Sequence, residues 1–267
     1  MRKFLITTFK FMLFFIGWAL CASFDISFNN PVLWRLMAET LPLLVLVAFS
    51  VLFWVIEKRK FPIAQLEHPV KNVVGGAVVG SIWLGIVVAI LWLTHTISFI
   101  GMNPVSYLGI WLLSCLINVV MQELLVRGYL YQLIKTNYST LAAAVVTTIL
   151  FTSLHGGAFE AGLVPVLNVM TMSIFMTLTL EYTHCIAFPI MIHFIWNGIG
   201  AIILGGVSLA SDYPSLLQIS YSGHQLLNGG ACKIEGSIIV LILNVLFIAL
   251  FSVLMRRQKR RAITTNN

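Results

Sequence analysis

Apolar runs of roughly 20 residues, the length of helix that crosses a ~30 Å hydrocarbon core, recur along this chain and constrain its fold most. Only 9% of the 267 residues are charged. A soluble domain carries about 25% charge, so a polar shell cannot be built here. The sequence therefore predicts an all-α, polytopic membrane protein. We find about eight such runs, at residues 4–24, 38–56, 73–95, 105–128, 139–155, 163–181, 185–206 and 236–255.

The first run admits two interpretations. Arg2 and Lys3 precede the apolar residues, and small residues follow near Cys21 and Ser23, as in a cleavable signal peptide. However, the run is long for a signal sequence and Lys10 interrupts it. We therefore favour a retained first span.

The distribution of basic residues predicts the orientation. An even number of spans puts both termini on one side, and loops on the cytosolic side are enriched in Lys and Arg. The net charge of +7 is spread over helix ends rather than over one patch, which argues against a nucleic-acid partner. We expect a multi-pass cell-membrane protein whose partner surface is the lipid bilayer and whose termini are cytosolic. The predicted cytosolic residues are Arg2, Lys3, Lys58, Arg59, Lys60, Lys71, Lys135, Arg256, Arg257, Lys259, Arg260 and Arg261, whereas the outside loops hold Arg35 and Lys233.

The runs divide the chain into three parts. Residues 1–100 contain the N-terminal spans and a cytosolic linker, residues 101–206 contain spans four to seven, and residues 207–267 contain an outside loop, the last span and a basic tail. In the third span, the spacing of Gly76 and Gly80 predicts close approach of a neighbouring helix.

Among the polar residues inside the apolar runs, five lie in three helices and could share one site. Glu123 and Arg127 are four residues apart in span four, His155 ends span five, and His193 and Asn197 are four residues apart in span seven. Ionisable groups at membrane depth are costly unless they are paired or line a wet cavity, so they indicate a functional site. The alternative is structural: an ion pair between helices, with the histidines and Asn197 as interhelical contacts.

Together these side chains suit the hydrolysis of an amide. A carboxylate in a partly dry cavity can take a proton from water, and a histidine can share that water. A second histidine with an asparagine amide offers donors to the oxyanion of a tetrahedral intermediate. We therefore expect three distant segments to share one pocket.

The same motifs resemble those of the CPBP family of intramembrane proteases, the CAAX proteases and bacteriocin-processing enzymes. The family pattern is EExxxRG, then FxxxH, then HxxxN or HxxxD, and the resemblance covers roughly residues 105–205. The matching residues are Gln122-Glu123-x-x-x-Arg127-Gly128, Phe151-x-x-x-His155 and His193-x-x-x-Asn197.

The resemblance implies cleavage of a membrane-embedded peptide or protein. In the family, a glutamate and the first histidine activate water, while the second histidine and Asn197 stabilise the oxyanion. It also implies an alternative in which Glu123, His155 and His193 bind zinc, and the sequence leaves a metal-free site equally open. The substrate and the oligomeric state are not defined by the sequence.

One position departs from the family pattern, because Gln122 replaces the first glutamate, usually assigned as the base. Glu123 is one candidate replacement, since adjacent helix positions differ by about 100°. The alternative is a non-catalytic member that binds a membrane partner or serves in bacteriocin self-immunity, a role that the resemblance implies for many bacterial relatives. A transporter is less favoured, because no internal repeat is apparent.

Helix geometry sets a condition on this site. At ~1.5 Å per residue, Glu123 falls in the cytosolic half of span four and His155 near the outer face of span five. The two segments can meet only if span five starts below the bilayer midplane or residues 129–138 dip into the membrane.

Overall fold

The computed structural model describes residues 1–23 and 27–265, and most of them are helical. The predicted end of the first span, at residue 24, lies outside the described residues. The helices are α1 (Arg2–Ala22), α2 (Pro31–Ile56), α3 (Pro69–Leu93), α4 (Leu108–Arg127), α5 (Tyr129–Asn137), α6 (Thr140–Ser153), α7 (Gly156–Ala161), α8 (Leu163–Thr183), α9 (Ala187–Phe194), α10 (Gln225–Asn228) and α11 (Ile238–Thr265). A π-helix (Ile195–Ile203) continues α9, a 3₁₀ helix (Gly230–Gly236) precedes α11, and two strands are β1 (Ile97–Met102) and β2 (Leu217–Tyr221).

The all-α membrane architecture is confirmed. Within the described ranges, six helical stretches are long and apolar enough to cross a membrane. Two shorter apolar stretches, Thr140–Ser153 and Ala187–Ile203, occupy the positions of the predicted fifth and seventh spans. The predicted number of about eight spans therefore depends on these two shorter helices.

Helix α2 begins earlier than its apolar run. The side chain of Asn30 accepts hydrogen bonds from the backbone N–H groups of Val32 at 2.9 Å and Leu33 at 3.3 Å, which satisfies donors at the helix start. Pro31 takes the first helical position, where a missing N–H costs nothing. The prediction that Arg35 lies in an outside loop is therefore wrong, because these signals place Arg35 within α2.

Gly128 separates α4 from α5. A Cβ at this position would lie 2.3 Å from the carbonyl oxygen of Leu124, so the backbone can turn here only without a side chain. The turn directs α5 into the protein, and the residues from Tyr129 to Ile134 are buried. That residues 129–138 dip into the membrane stays a prediction.

The predicted close approach at Gly76 and Gly80 is confirmed. These glycines of α3 face α9, and a Cβ on Gly76 would lie 2.4 Å from the carbonyl oxygen of Phe188. A Cβ on Gly80 would lie 3.0 Å from the Cα atom of Ile192. The contact fixes α9, which carries His193, against α3.

A short antiparallel sheet anchors the loop that follows the π-helix. Strand β1 pairs with β2, with Ile97 opposite Tyr221 and Met102 opposite Leu217. The loop at residues 208–235, which had no role assigned from the sequence, therefore folds back onto the segment after α3. It brings Tyr213 and Glu235 to the same cavity wall as α4 and α9.

We expect Gly76→Ala to destabilise the protein by ~1–3 kcal/mol, the usual cost of overpacking. The matched control is Gly85→Ala in the same helix, where a new Cβ meets no atom within 4 Å. The control should be neutral or stabilising, because alanine favours helix over glycine. Thermal unfolding in detergent measures both, and equal midpoints for the two variants would contradict the packing argument.

Candidate active site

A fully buried ion pair lies at the base of the site. Nη1 of Arg127 donates to both carboxylate oxygens of Glu123, at 2.9 and 2.8 Å, and neither residue has exposed surface. Nη2 of Arg127 donates to the carbonyl oxygen of Ser173 in α8 at 2.7 Å. The pair thus connects α4 to α8, and the charges compensate each other without exposed surface.

His193 is held by this pair. Its Nδ1 lies 2.9 Å from Oε1 of Glu123, and an ionised carboxylate only accepts, so Nδ1 carries a proton. Its Nε2 lies 3.2 Å from the amide nitrogen of Asn197, which can donate to it. Asn197 belongs to the π-helix, a geometry found frequently at functional sites. The second N–H of Asn197 is left for another acceptor.

His155 differs from His193 in which of its ring nitrogens is available. Its Nδ1 lies 2.7 Å from the carbonyl oxygen of Phe151, which can only accept, so the proton resides on Nδ1 and Nε2 carries a lone pair. The ring of Phe151 contacts both imidazoles, with its centroid 4.3 Å from that of His155 and 6.0 Å from that of His193. The FxxxH spacing therefore fixes the tautomer of His155 as well as its position.

The two histidines share a cavity of about 750 Å³. Asn197 and Gln122 also line its wall, whereas Glu123 and Arg127 lie behind it with no exposed surface. The structure thus brings all three predicted motifs together. It places Gln122, and not its neighbour Glu123, at the position that faces the cavity.

Comparison with known proteins assigns this segment to a family. Residues 104–199 match the family model Rce1-like, described as type II CAAX prenyl endopeptidase Rce1-like. The segment is Rce1-like. This confirms the resemblance to the CPBP intramembrane proteases for the stretch from the start of α4 into the π-helix. No curated protein and no solved structure matches the chain.

A second polar cluster, outside the Rce1-like segment, was missed from the sequence. Arg35 and Glu39 of α2 form an ion pair at 2.9 Å, and Arg35 also donates to Asp212 at 2.7 Å. The hydroxyl of Tyr213 lies 3.4 Å from Glu39. Burial, and then the negative charge of Glu39, raise the pKa of Tyr213, so its phenol stays protonated and donates. The spacing of Arg35 and Glu39, four residues apart, was the available signal.

Glu235 is a further missed residue. It lies on the cavity wall, and its Oε1 accepts a hydrogen bond at 3.2 Å from the indole of Trp196, which precedes Asn197 within the Rce1-like segment. Its own position, in the 3₁₀ helix before α11, is outside that segment. Nothing in the sequence links Glu235 to the motif residues, because only the fold of the loop brings it there.

One predicted zinc ligand, Glu123, does not fit a metal as arranged, because its oxygens accept from Arg127 and His193. His193 donates from Nδ1 to that carboxylate, as metal-binding histidines commonly do, and its Nε2 lies beside Asn197. Among residues 1–23 and 27–265, no group of three or more His, Cys, Asp or Glu side chains is placed to hold an ion. The zinc site stays a prediction, and no step below is derived through a metal.

We expect Arg127→Met to destabilise the protein by ~3–5 kcal/mol, because it leaves the Glu123 carboxylate buried without a partner. The double variant Glu123→Gln/Arg127→Met removes both charges and keeps an acceptor for His193, so it should lose less stability than the single variant. Denaturant unfolding of the detergent-solubilised protein compares the two. A double variant that is less stable than the single variant would contradict the buried pair.

Proposed function

We propose that this protein is an intramembrane endopeptidase that hydrolyses a peptide bond of a membrane-associated peptide or protein. The observation that carries the proposal is that two groups line one cavity, an unprotonated Nε2 on His155 and an amide donor on Asn197. One group can take a proton from water and the other can stabilise an oxyanion. These are the two requirements of amide hydrolysis.

In the proposed reaction, Nε2 of His155 takes a proton from a water molecule. The resulting hydroxide forms a bond to the carbonyl carbon of the substrate, and the carbonyl oxygen becomes an oxyanion that accepts the second N–H of Asn197. When the intermediate collapses, the C–N bond breaks and the imidazolium of His155 returns the proton to the leaving nitrogen. The products are a carboxylic acid and an amine, the acid then gives its proton to solvent or to the amine, and His155 is neutral again.

Glu123 and Arg127 have a positioning role in this proposal rather than the base role anticipated from the sequence. Both oxygens of Glu123 already accept hydrogen bonds, and the residue has no exposed surface. Its carboxylate holds Nδ1 of His193, which leaves Nε2 of His193 to orient Asn197. Gln122 has no useful basicity, but its amide faces the cavity and can bind water.

The cavity wall suits an apolar substrate. Besides the polar groups, it is formed by Met121, Leu125, Val126, Leu154 and Met172. The name of the matching family specifies prenylated CAAX substrates for its members, and we extend to this chain the broader class of lipid-embedded peptides. A prenylated peptide is one member of that class.

We expect purified wild-type protein in nanodiscs to cleave at least one of two probes, a farnesylated CAAX peptide and an unprenylated transmembrane peptide. His155→Ala should abolish turnover, and Asn197→Ala should lower kcat by about 100-fold, the effect of removing one oxyanion donor. Mass spectrometry of the new termini measures cleavage. The matched control is His224→Ala in the outside loop. Equal rates for wild type, His155→Ala and Asn197→Ala would overturn the proposal.

A second candidate function is non-catalytic recognition of a membrane partner, such as immunity to a bacteriocin. Gln122 at the family's glutamate position favours it. The two functions differ in their dependence on His155. If the protein protects cells from a membrane-active peptide and protection survives His155→Ala and Asn197→Ala together, recognition and not hydrolysis explains the site.

A further inference from the structure

We propose that Glu39 of α2 is a positioning residue of this site, which acts through Asn118 to fix the amide of Gln122 with its oxygen available for water. The inference rests on the proposed hydrolysis and assigns a role to a carboxylate outside the Rce1-like segment. Nδ2 of Asn118 donates to Oε2 of Glu39 at 2.7 Å, and Nε2 of Gln122 donates to Oδ1 of Asn118 at 2.6 Å. The three side chains form a continuous chain of hydrogen bonds along the cavity wall, from Glu39 of α2 to Gln122 of α4.

Only a carboxylate at residue 39 fixes the direction of these hydrogen bonds. An amide can turn either its oxygen or its nitrogen toward a neighbouring amide, so Asn118 and Gln122 alone could adopt both orientations. An ionised carboxylate has no proton to donate, so Glu39 requires the nitrogen of Asn118. Asn118 must then present its oxygen to Gln122, and Gln122 must present its nitrogen to Asn118.

The surroundings of Glu39 keep it an acceptor. Arg35, which is protonated at any physiological pH, donates to Oε1 at 2.9 Å, and Tyr213 approaches the same oxygen at 3.4 Å. Asp212 holds Arg35 from the opposite side. Glu39 is 5% exposed, so the orientation that it imposes is little weakened by solvent.

At the Gln122 end of this series of hydrogen bonds, one acceptor has no partner. Oε1 of Gln122 is buried and has no hydrogen-bond partner among the described residues, although a buried oxygen without a partner is costly. Gln122 lines the cavity with His155 and His193, so a water molecule is the partner that fits. That water would donate one proton to Oε1 of Gln122 and the other to Nε2 of His155. Glu39 therefore acts on the reaction through the direction of one amide.

The test compares Asn118→Ala in two backgrounds, the natural Gln122 and the variant Gln122→Glu. In the Gln122 background, we expect kcat to fall by about 10-fold with KM little changed, because one oriented hydrogen bond is lost. In the Gln122→Glu background, the same substitution should cost less than about 2-fold, since a carboxylate presents an oxygen whichever way it turns. Glu39→Ala should show the same dependence on background.

The outcomes separate the two proposals. If cleavage depends on His155 but Asn118→Ala costs the same in both backgrounds, Asn118 is merely structural and the role of Glu39 is overturned while the hydrolytic function stands. An inactive Gln122→Glu variant would also overturn it, because residue 122 would then not act through an acceptor oxygen. If no probe is cleaved by any variant, the hydrolytic function fails. The hydrogen-bond chain is then tested by unfolding of Glu39→Ala, Asn118→Ala and the double variant, where additive losses would refute it.

Discussion

The buried pair of Glu123 and Arg127 is the interaction on which the site depends. Two charges without exposed surface are tolerated in an apolar bundle only while each compensates the other. Meeting this condition joins α4 to α8 through Ser173 and α4 to α9 through His193. The same contacts that satisfy the charges therefore set the relative position of three helices and the protonated nitrogen of one imidazole.

The two histidines differ because of what their Nδ1 atoms contact. His193 donates to a buried carboxylate and also has its Nε2 beside Asn197, so both nitrogens are engaged. His155 donates to a backbone carbonyl, which leaves Nε2 as the basic group. The adjacent residues 122 and 123 also differ in what they face, because neighbouring positions on a helix are about 100° apart. Gln122 faces the cavity, and Glu123 faces Arg127. A carboxylate at 123 therefore does not replace one at 122.

The apolar runs were sufficient to predict the long helices, and the motif spacings were sufficient to predict that Glu123, His155 and His193 converge. The start of α2 was not predicted, because Trp34 and Arg35 lower the local hydropathy although Asn30 and Pro31 are good helix-start signals. The pairing of β1 with β2 joins segments far apart in the sequence, and short strands carry little local signal. Glu39 was overlooked because its importance lies in contacts with Asn118 and Tyr213, which only tertiary structure provides.

Residue 122 is a glutamine where the family pattern has a glutamate. The contacts of α2 with the Rce1-like segment change how this difference is interpreted. Glu39 and Glu123 each accept a hydrogen bond from a neighbouring polar group. Glu39 accepts from the amide of Asn118, and Glu123 accepts from the imidazole of His193. In a site of low dielectric, fixed dipoles act strongly on developing charge without having to reorient during the reaction. In the proposed reaction, the cavity combines a neutral base on His155 with amides of defined direction on Gln122 and Asn197. In that reaction, a carboxylate that is held by neighbouring donors positions other groups and does not itself accept the proton.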